Sequence, residues 1–291
     1  MPGYNELVME IHNNSEKPFS EAAGRLDAYI RMITRVELSE ILLDIGAIPQ
    51  SIKPSSSEEK LYSKATDIVL ARCFAEIGLD ATVFETRGNS ADVEATSRFH
   101  GYSLVADSKS MRLSRTAKNQ KDFKIGALGD NWIGTNSTYA VLCCPLYQYP
   151  VSKSQIYEQA LNNKTCFFSW EYMKFLIDNN VRESNILSLE HIWSYAIRLS
   201  RVPGINRQEN YLGKIEEVIS LRTGLDINYL RQSISGYYQY TATRADIERN
   251  QILTQRISEI NRMSRDEAIL LLIEQEIKKI ETMDKLISRL R

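Results

Sequence analysis

Histidine is scarce in this chain: there are three, His12, His100 and His191, among 291 residues. No two of them stand at the spacing of a metal pair, which weighs against nuclease chemistry that depends on histidine. Cysteine is nearly as rare. Its four copies, Cys73, Cys143, Cys144 and Cys166, lie in apolar runs without C-x-x-C spacing, a pattern that favours buried thiols in a reducing cytosol over disulfides or a zinc site. No apolar run is long enough to span a membrane, no signal-peptide pattern is present, and no Walker or dinucleotide glycine loop occurs. Charge is balanced overall, with 36 basic against 37 acidic residues and a formal net of −1. With 43% hydrophobic residues, the chain can bury the core of one large or two modest domains.

What the chain does contain is concentrated between Glu85 and Lys124, in ETRGNSADVEATSRFHGYSLVADSKSMRLSRTAKNQKDFK. Ser103 to Ser108 is a short apolar run after a Gly-Tyr break, and it reads as a buried strand. Residues two apart on a strand share a face, so Asp107 and Lys109 project together. Upstream, Ala81 to Glu94 carries β-branched and aromatic residues interrupted by Arg87-Gly88-Asn89-Ser90, which predicts a strand, a turn and a second extended piece bearing Asp92. Folded back as a hairpin, that piece brings Asp92 to the end of the Asp107 strand.

Two carboxylates and a lysine at one point suit Mg²⁺-assisted phosphodiester chemistry. Mg²⁺ prefers oxygen ligands, is held by one or two carboxylates, and takes its remaining ligands from water and substrate phosphate. A neighbouring lysine can orient or help deprotonate an attacking water and offset charge on phosphorus. A bare D-x(n)-D-x-K pattern also fits an exposed strand end with ordinary charges, so the surroundings must decide. From Lys109 to Lys124 six basic residues (Lys109, Arg112, Arg115, Lys118, Lys121, Lys124) face one acidic residue, Asp122, a local net of about +5. That is a footprint for phosphate. Interleaved Ser114, Thr116, Asn119 and Gln120 carry the hydroxyls and amides that read base edges in a major groove, although a solvated helix face gives the same charge run.

These residues resemble the PD-(D/E)xK nuclease core. VADSKSMRLSRTAKNQKDFK is similar at nearly every position to the corresponding stretch of a Type II restriction endonuclease of that superfamily, and the likeness continues through Ile52–Ser56, Glu85–Asn89, Gln148–Pro150 and Ser152–Ile156. It covers roughly residues 40–195 well and the last third only loosely. The resemblance implies a prokaryotic, cytoplasmic restriction-modification enzyme that is a homodimer on double-stranded DNA. It implies Mg²⁺, one or two ions per site, with Mn²⁺ as a substitute. Asp92 and Asp107 are then metal ligands and Lys109 assists the water. Glu85 matches an acidic position near the site and completes the metal shell or binds a second ion. Arg115, Lys118, Asn119, Lys121, Asp122 and Lys124 are the implied DNA-binding residues, with Lys118, Asn119 and Lys121 leading for base contacts. Asp122 and Lys124 also fit a plain helix-surface ion pair. The implied target is the palindrome AAGCTT, cut after the first A to leave a 5′-phosphate. Ser90-Ala91 stands where the motif's name has a proline, a variable position that ligates nothing. A repair or recombination nuclease, or a DNA-binding module without catalysis, remains the alternative.

The pattern of the rest of the chain predicts an α/β fold, a small mixed sheet flanked by helices between largely helical termini, and the resemblance implies that this is a restriction-endonuclease-like core. Residues 1–50 read as a helical packing segment, 51–200 as the nuclease core with the basic arm at 109–124, and 201–291 as a helical region for packing and dimer formation. The expected helices include Phe19–Ile33, a second capped by Thr34 and Glu37 and running through Ile45 to Gly46, and one over Glu58–Ile77 capped by Ser56 with Glu59. A crossover helix over Thr116–Leu128 leads to a parallel strand at Thr138–Cys144. Ser152–Asn162 follows as helix and Thr165–Trp170 as strand, while His191, Trp193 and Tyr195 read as core. After Arg207 the pattern is helical, with a capping box at Ser264 and Glu267 and a Tyr237-Tyr238-Gln239-Tyr240 cluster that suits core or interface better than DNA stacking.

Overall fold

A computed structural model describes residues 2–84, 92–113, 123, 125–130, 137–150, 154–205, 208–274 and 277. The chain opens with three helices rather than the two expected. α1 (Pro2–Asn14) is the addition, and it buries Leu7 and Ile11 on one face. Its apolar positions are too few to stand out from sequence alone. α2 (Phe19–Met32) buries Ala22, Leu26 and Ile30 at a four-residue spacing. In α3 (Arg35–Ile41) the Thr34 hydroxyl accepts from the Glu37 amide at 3.3 Å, and the Glu37 carboxylate accepts from the Thr34 amide at 2.6 Å, the reciprocal cap expected there. The helix ends at Ile41, short of Ile45, because residues 42–46 turn into the two-residue strand β1 (Ala47–Ile48).

α4 (Ser57–Glu76) is the long helix under the sheet. Its N-cap is Ser56, whose hydroxyl accepts from the Glu59 amide at 3.1 Å, while Glu59 turns back to the Ser55 amide instead of that of Ser56. Leu61, Ala65, Ile68, Val69 and Cys73 are all buried. The helix closes at Gly78, which has a φ of +96° and where a Cβ would stand 2.7 Å from the Glu183 carbonyl oxygen, so no other residue fits there.

The sheet follows. β2 (Leu79–Val83) and β3 (Val93–Ser97) pair antiparallel, and β3 pairs antiparallel with β4 (Ser103–Ser108). After the short β5 (Met111–Arg112), helix α5 (Ile125–Asp130) precedes β6 (Tyr139–Cys144), which runs parallel to β4. That is the predicted parallel pair; of the crossover helix expected over Thr116–Leu128, Phe123 and Ile125–Leu128 are among the described residues. α6 (Gln155–Asn162) starts from a Ser154 cap, and β7 (Thr165–Ser169) joins β6 in parallel. Every residue of β6 and β7 is buried, as suits parallel strands covered on both faces. The strand expected to reach Trp170 stops at Ser169, because the Ser169 hydroxyl accepts from the Tyr172 amide and starts α7 (Trp170–Asp178). The five-stranded sheet is therefore mixed, in the order β2-β3-β4-β6-β7, with helices around it.

Beyond the sheet, α8 (Glu190–Trp193) and α9 (Tyr195–Leu199) carry Trp193 and Tyr195 into the core, while His191 is only partly buried. α10 (Gln208–Thr223) and the start of α11 (Ile227–Arg262) bury Tyr211, Ile215, Leu230 and Ile234. The tyrosine cluster serves packing: Tyr237 donates to Asp178 at 3.2 Å and lies under the Lys174 ammonium, and Tyr240 donates to Asp44 at 2.9 Å. The four cysteines are buried and unbridged. The chain divides into two compact units, Met1–Thr241 and Ala242–Arg291. The second holds the remainder of α11 and a helical stretch over 265–274 that begins at the predicted Ser264–Glu267 capping box. No helix among the described residues is long and apolar enough to cross a membrane.

A small second ladder steadies the start of the basic arm. β5 pairs in parallel with β1, and the Met111 amide donates to the Gly46 carbonyl at 2.9 Å. A Cβ on Gly46 would lie 2.4 Å from Pro145 Cγ and 2.8 Å from Trp170 Cδ1. Gly46→Ala is accordingly expected to destabilise the protein by about 1–3 kcal/mol through overpacking. Urea unfolding monitored by circular dichroism checks this, and a midpoint equal to that of the parent would show that the site relaxes freely.

Candidate active site

The register of two antiparallel strands builds the site. Val93 on β3 stands opposite Ala106 on β4, so one step outward along both strands sets Asp92 opposite Asp107. The Asp92 amide donates to the Ala106 carbonyl at 3.1 Å, and the Phe84 amide donates to the Asp92 carbonyl at 3.0 Å, which fixes the Asp92 backbone from both sides. Lys109, the first residue past β4, continues the two-residue period from Asp107, and their side chains form an ion pair. Lys109 is anchored through its backbone too. Its amide donates to Cys143 on β6 at 2.8 Å and its carbonyl accepts from Trp170 Nε1 at 3.3 Å. Asp92, Asp107 and Lys109, predicted to converge, are thus brought together.

The electrostatics follow from burial. Asp107 is 7% exposed, and the Asp92 carboxyl shares a hydrogen bond with it. Burial and the nearby Asp107 carboxylate push the Asp92 carboxyl up to about 6, against a smaller opposing pull from Lys109 and Lys64. Burial alone would lower the Lys109 ammonium, but Asp107, with Asp92 and Asp67 behind it, more than offsets this and holds the proton on the lysine. Asp92 therefore takes up a proton at a higher pH than an ordinary carboxyl does, below about 6.

α4 adds residues absent from the set expected on sequence grounds. Asp67 is 6% exposed, and its Oδ1 accepts from the Ser108 hydroxyl at 2.5 Å. Burial, and then the charge of Asp92, raise its carboxyl well above the ordinary range. Lys64 donates to the Phe84 carbonyl at 2.7 Å, at the strand end that leads to Asp92. The sequence offers only a partial signal: Asp67 and Thr66 interrupt an otherwise apolar run from Ala65 to Leu70, but nothing there names the partner that a buried acid needs.

The remaining candidates divide differently. Glu85, Arg115, Lys118, Asn119, Lys121, Asp122 and Lys124 lie outside the described residues. Arg112, counted in the basic run, is committed inward, donating to the Pro49 carbonyl at 3.0 Å and pairing with Glu59 at 2.7 Å. With Lys109 held by Asp107, two of the six basic residues are engaged within the fold. The Lys53–Ser56 loop is likewise a helix cap, with the Ser56 hydroxyl also donating to the Lys53 carbonyl at 2.7 Å. Among the described residues no three His, Cys, Asp or Glu side chains converge tightly enough to enclose an ion on their own. Two carboxylates with open positions beside them are the arrangement that leaves room for water and a substrate oxygen.

The raised Asp92 carboxyl has a signed consequence in chelator. Its folded pKa, about 6, lies above the unfolded value near 4, so the folded chain binds this proton more tightly and gains stability as pH falls from about 6 toward about 4. Asp92→Asn removes the charge at all pH values. It is expected to raise the melting temperature in EDTA more at about pH 7.5 than at about pH 5. Equal effects at the two pH values in thermal unfolding would sink this reading.

Comparison with known proteins bears directly on this arrangement. The model of the HindIII restriction endonuclease family matches residues 5–291. A curated relative, the Type II restriction enzyme HindIII of Haemophilus influenzae, is 38% identical over 289 residues, covering 98% of this chain and 95% of its own length. The likeness legible over roughly residues 40–195 therefore extends through the C-terminal third.

Proposed function

Since this chain belongs to the HindIII restriction endonuclease family, whose members are Type II site-specific deoxyribonucleases, we propose that Asp92, Asp107 and Lys109 form its catalytic centre. The observation that carries this is the Asp107–Lys109 pair at the end of β4 with Asp92 set opposite by the strand register. We take residues 51–200 as the nuclease core carrying this centre, 1–50 as packing against it, and 201–291 as packing and dimer-forming.

The donor set fits a hard divalent cation. Burial and then the neighbouring Asp107 carboxylate raise the Asp92 carboxyl, and a cation bound between the two would relieve their repulsion. Asp92 and Asp107 would hold Mg²⁺, with Mn²⁺ as a substitute and Glu85 as a further ligand or the ligand of a second ion. When bound, the ion supplies Lewis acidity toward the scissile phosphate and lowers the pKa of a bound water. Lys109 keeps its proton through Asp107, so it donates a hydrogen bond to orient the water and offsets charge building on the phosphate oxygens. In the hydrolysis the water oxygen bonds to phosphorus and the bond to the 3′ oxygen breaks. The water gives up a proton and the departing oxygen takes one, leaving a 5′-phosphate and a 3′-hydroxyl.

The 38% identity to an enzyme named HindIII supports the target AAGCTT, cut after the first A. Arg115, Lys118, Asn119, Lys121, Asp122 and Lys124 are the DNA contacts we assign, the amide and cationic side chains suiting adenine and guanine edges. A palindrome calls for a twofold homodimer. Leu253, Ile257, Ile260 and Leu270, exposed in the unit Ala242–Arg291, are apolar surface of the kind a second copy covers. Sedimentation velocity is expected to return twice the 33.4 kDa of the chain.

Plasmid incubated with Mg²⁺ is expected to yield discrete fragments with 5′-AGCT overhangs, and none in EDTA. Asp107→Ala abolishes cutting, and Lys109→Ala lowers the rate by roughly 10²–10³-fold. Cutting at another palindrome would overturn the assigned target and leave the chemistry. Salt-sensitive DNA binding without cutting would leave a binding protein.

A further inference from the structure

Ser108 is the residue between Asp107 and Lys109, and its side chain points to the other face of β4. There it meets α4. The Ser108 hydroxyl lies 2.5 Å from Asp67 Oδ1 and 2.7 Å from the Thr66 hydroxyl. All three residues are nearly sealed from water, with exposures of 8% for Ser108, 6% for Asp67 and 1% for Thr66.

Stability alone gives no reason for this arrangement. Burying a carboxyl in the stretch from Ala65 to Leu70, where only Thr66 is also polar, is costly, and apolar side chains of similar volume would pack there at less cost. What the network provides is directional. A strand held only by its ladder can still roll about its long axis, and a roll at Ser108 swings Asp107 and Lys109 together. The hydrogen bond that the Ser108 hydroxyl donates to Asp67, with the Thr66 hydroxyl beside it, fixes that rotation at the point where the two side chains must be aimed.

We infer that Asp67 is a positioning residue: through the Ser108 hydroxyl it sets the orientation of Asp107 and Lys109 without itself touching metal or DNA. This rests on the catalytic assignment proposed above. The role requires a hydrogen-bond acceptor at Asp67 and a donor at Ser108, and it does not require a charge. Outer hydrogen bonds of this kind, when removed, characteristically weaken metal affinity or activity by 10–100-fold.

The test compares the full-length chain with Asp67→Ala, Asp67→Asn, Ser108→Ala, the double Asp67→Ala/Ser108→Ala and Asp107→Ala. Mn²⁺ affinity is read by electron paramagnetic resonance, single-turnover kcat and KM on an AAGCTT duplex, and folding by circular dichroism. Asp67→Ala and Ser108→Ala are expected to lose about 10–100-fold in Mn²⁺ affinity and in kcat with KM unchanged. The double variant loses no more than either single one, because both remove one interaction. Asp67→Asn, whose amide oxygen still accepts from Ser108, stays within about threefold of the parent. Parent-like Mn²⁺ affinity and kcat in Ser108→Ala overturn the inference, as does additive loss in the double variant. Damage in Asp67→Asn equal to that in Asp67→Ala also overturns it, since charge would then be the operative property. Should Asp67→Ala fail to fold, Ser108→Ala and Asp67→Asn decide. If the parent neither cuts nor binds Mn²⁺ more tightly than Asp107→Ala, the catalytic assignment falls too; failure confined to the Asp67 and Ser108 variants overturns this inference alone.

Discussion

The centre of this molecule is a repulsion held in place. Antiparallel pairing of β3 and β4 sets Asp92 against Asp107 in a setting largely closed to water, where neither carboxylate is fully solvated. Lys109 balances one of them, and burial, followed by the charge of Asp107, raises the Asp92 carboxyl. The surrounding structure serves to keep this arrangement from relaxing. β6 and Trp170 tether the Lys109 backbone, Lys64 tethers the end of β2, and α4 grips the reverse face of β4. A site that concentrates like charge costs stability, a cost that the proposed catalytic role would put to use through a bound cation.

How much of this was legible in the sequence depends on the range of the interaction that writes it. Asp107 and Lys109 could be paired from the two-residue period of one strand, and pairing of the neighbouring strands β3 and β4 sets Asp92 against them, because hairpin geometry is local; the turn expected at Arg87–Ser90 lies outside the described residues. The Thr34–Glu37 and Ser264–Glu267 caps were readable for the same reason. The part played by α4 was not, since the contact from Asp67 to Ser108 joins residues 41 apart in sequence and nothing in either segment names the other. Arg112 shows the reverse error. As one of a run of cations it reads as a phosphate contact, yet its partners Pro49 and Glu59 are more than fifty residues upstream and turn it inward.

The strand ends were misjudged by a residue or a turn where two signals compete. Trp170 extends the apolar pattern of β7 but also stands at the first helical position after Ser169, and the serine cap prevails because it satisfies an amide that would otherwise be left bare. The helix expected through Ile45 ends at Ile41 for a tertiary reason, the need for Ala47 and Ile48 to pair with Met111 and Arg112.

The position of β4 in the sheet also bears on when the protein becomes dangerous to the cell that makes it. Both acids and the lysine have left the ribosome's decoding site by residue 109, and β3 and β4 can pair at once, being neighbours in the chain. The other flank of β4 is β6, whose Leu142 stands beside Asp107 and is made 35 residues later, and β6 in turn leans on β7. Parallel pairings across such separations form late, after the entropy of closing the intervening loop has been met. On the catalytic assignment proposed above, a nascent chain carries these three groups well before it has the sheet that aims them, so cutting competence would arrive with cooperative completion of the fold rather than with synthesis of the motif.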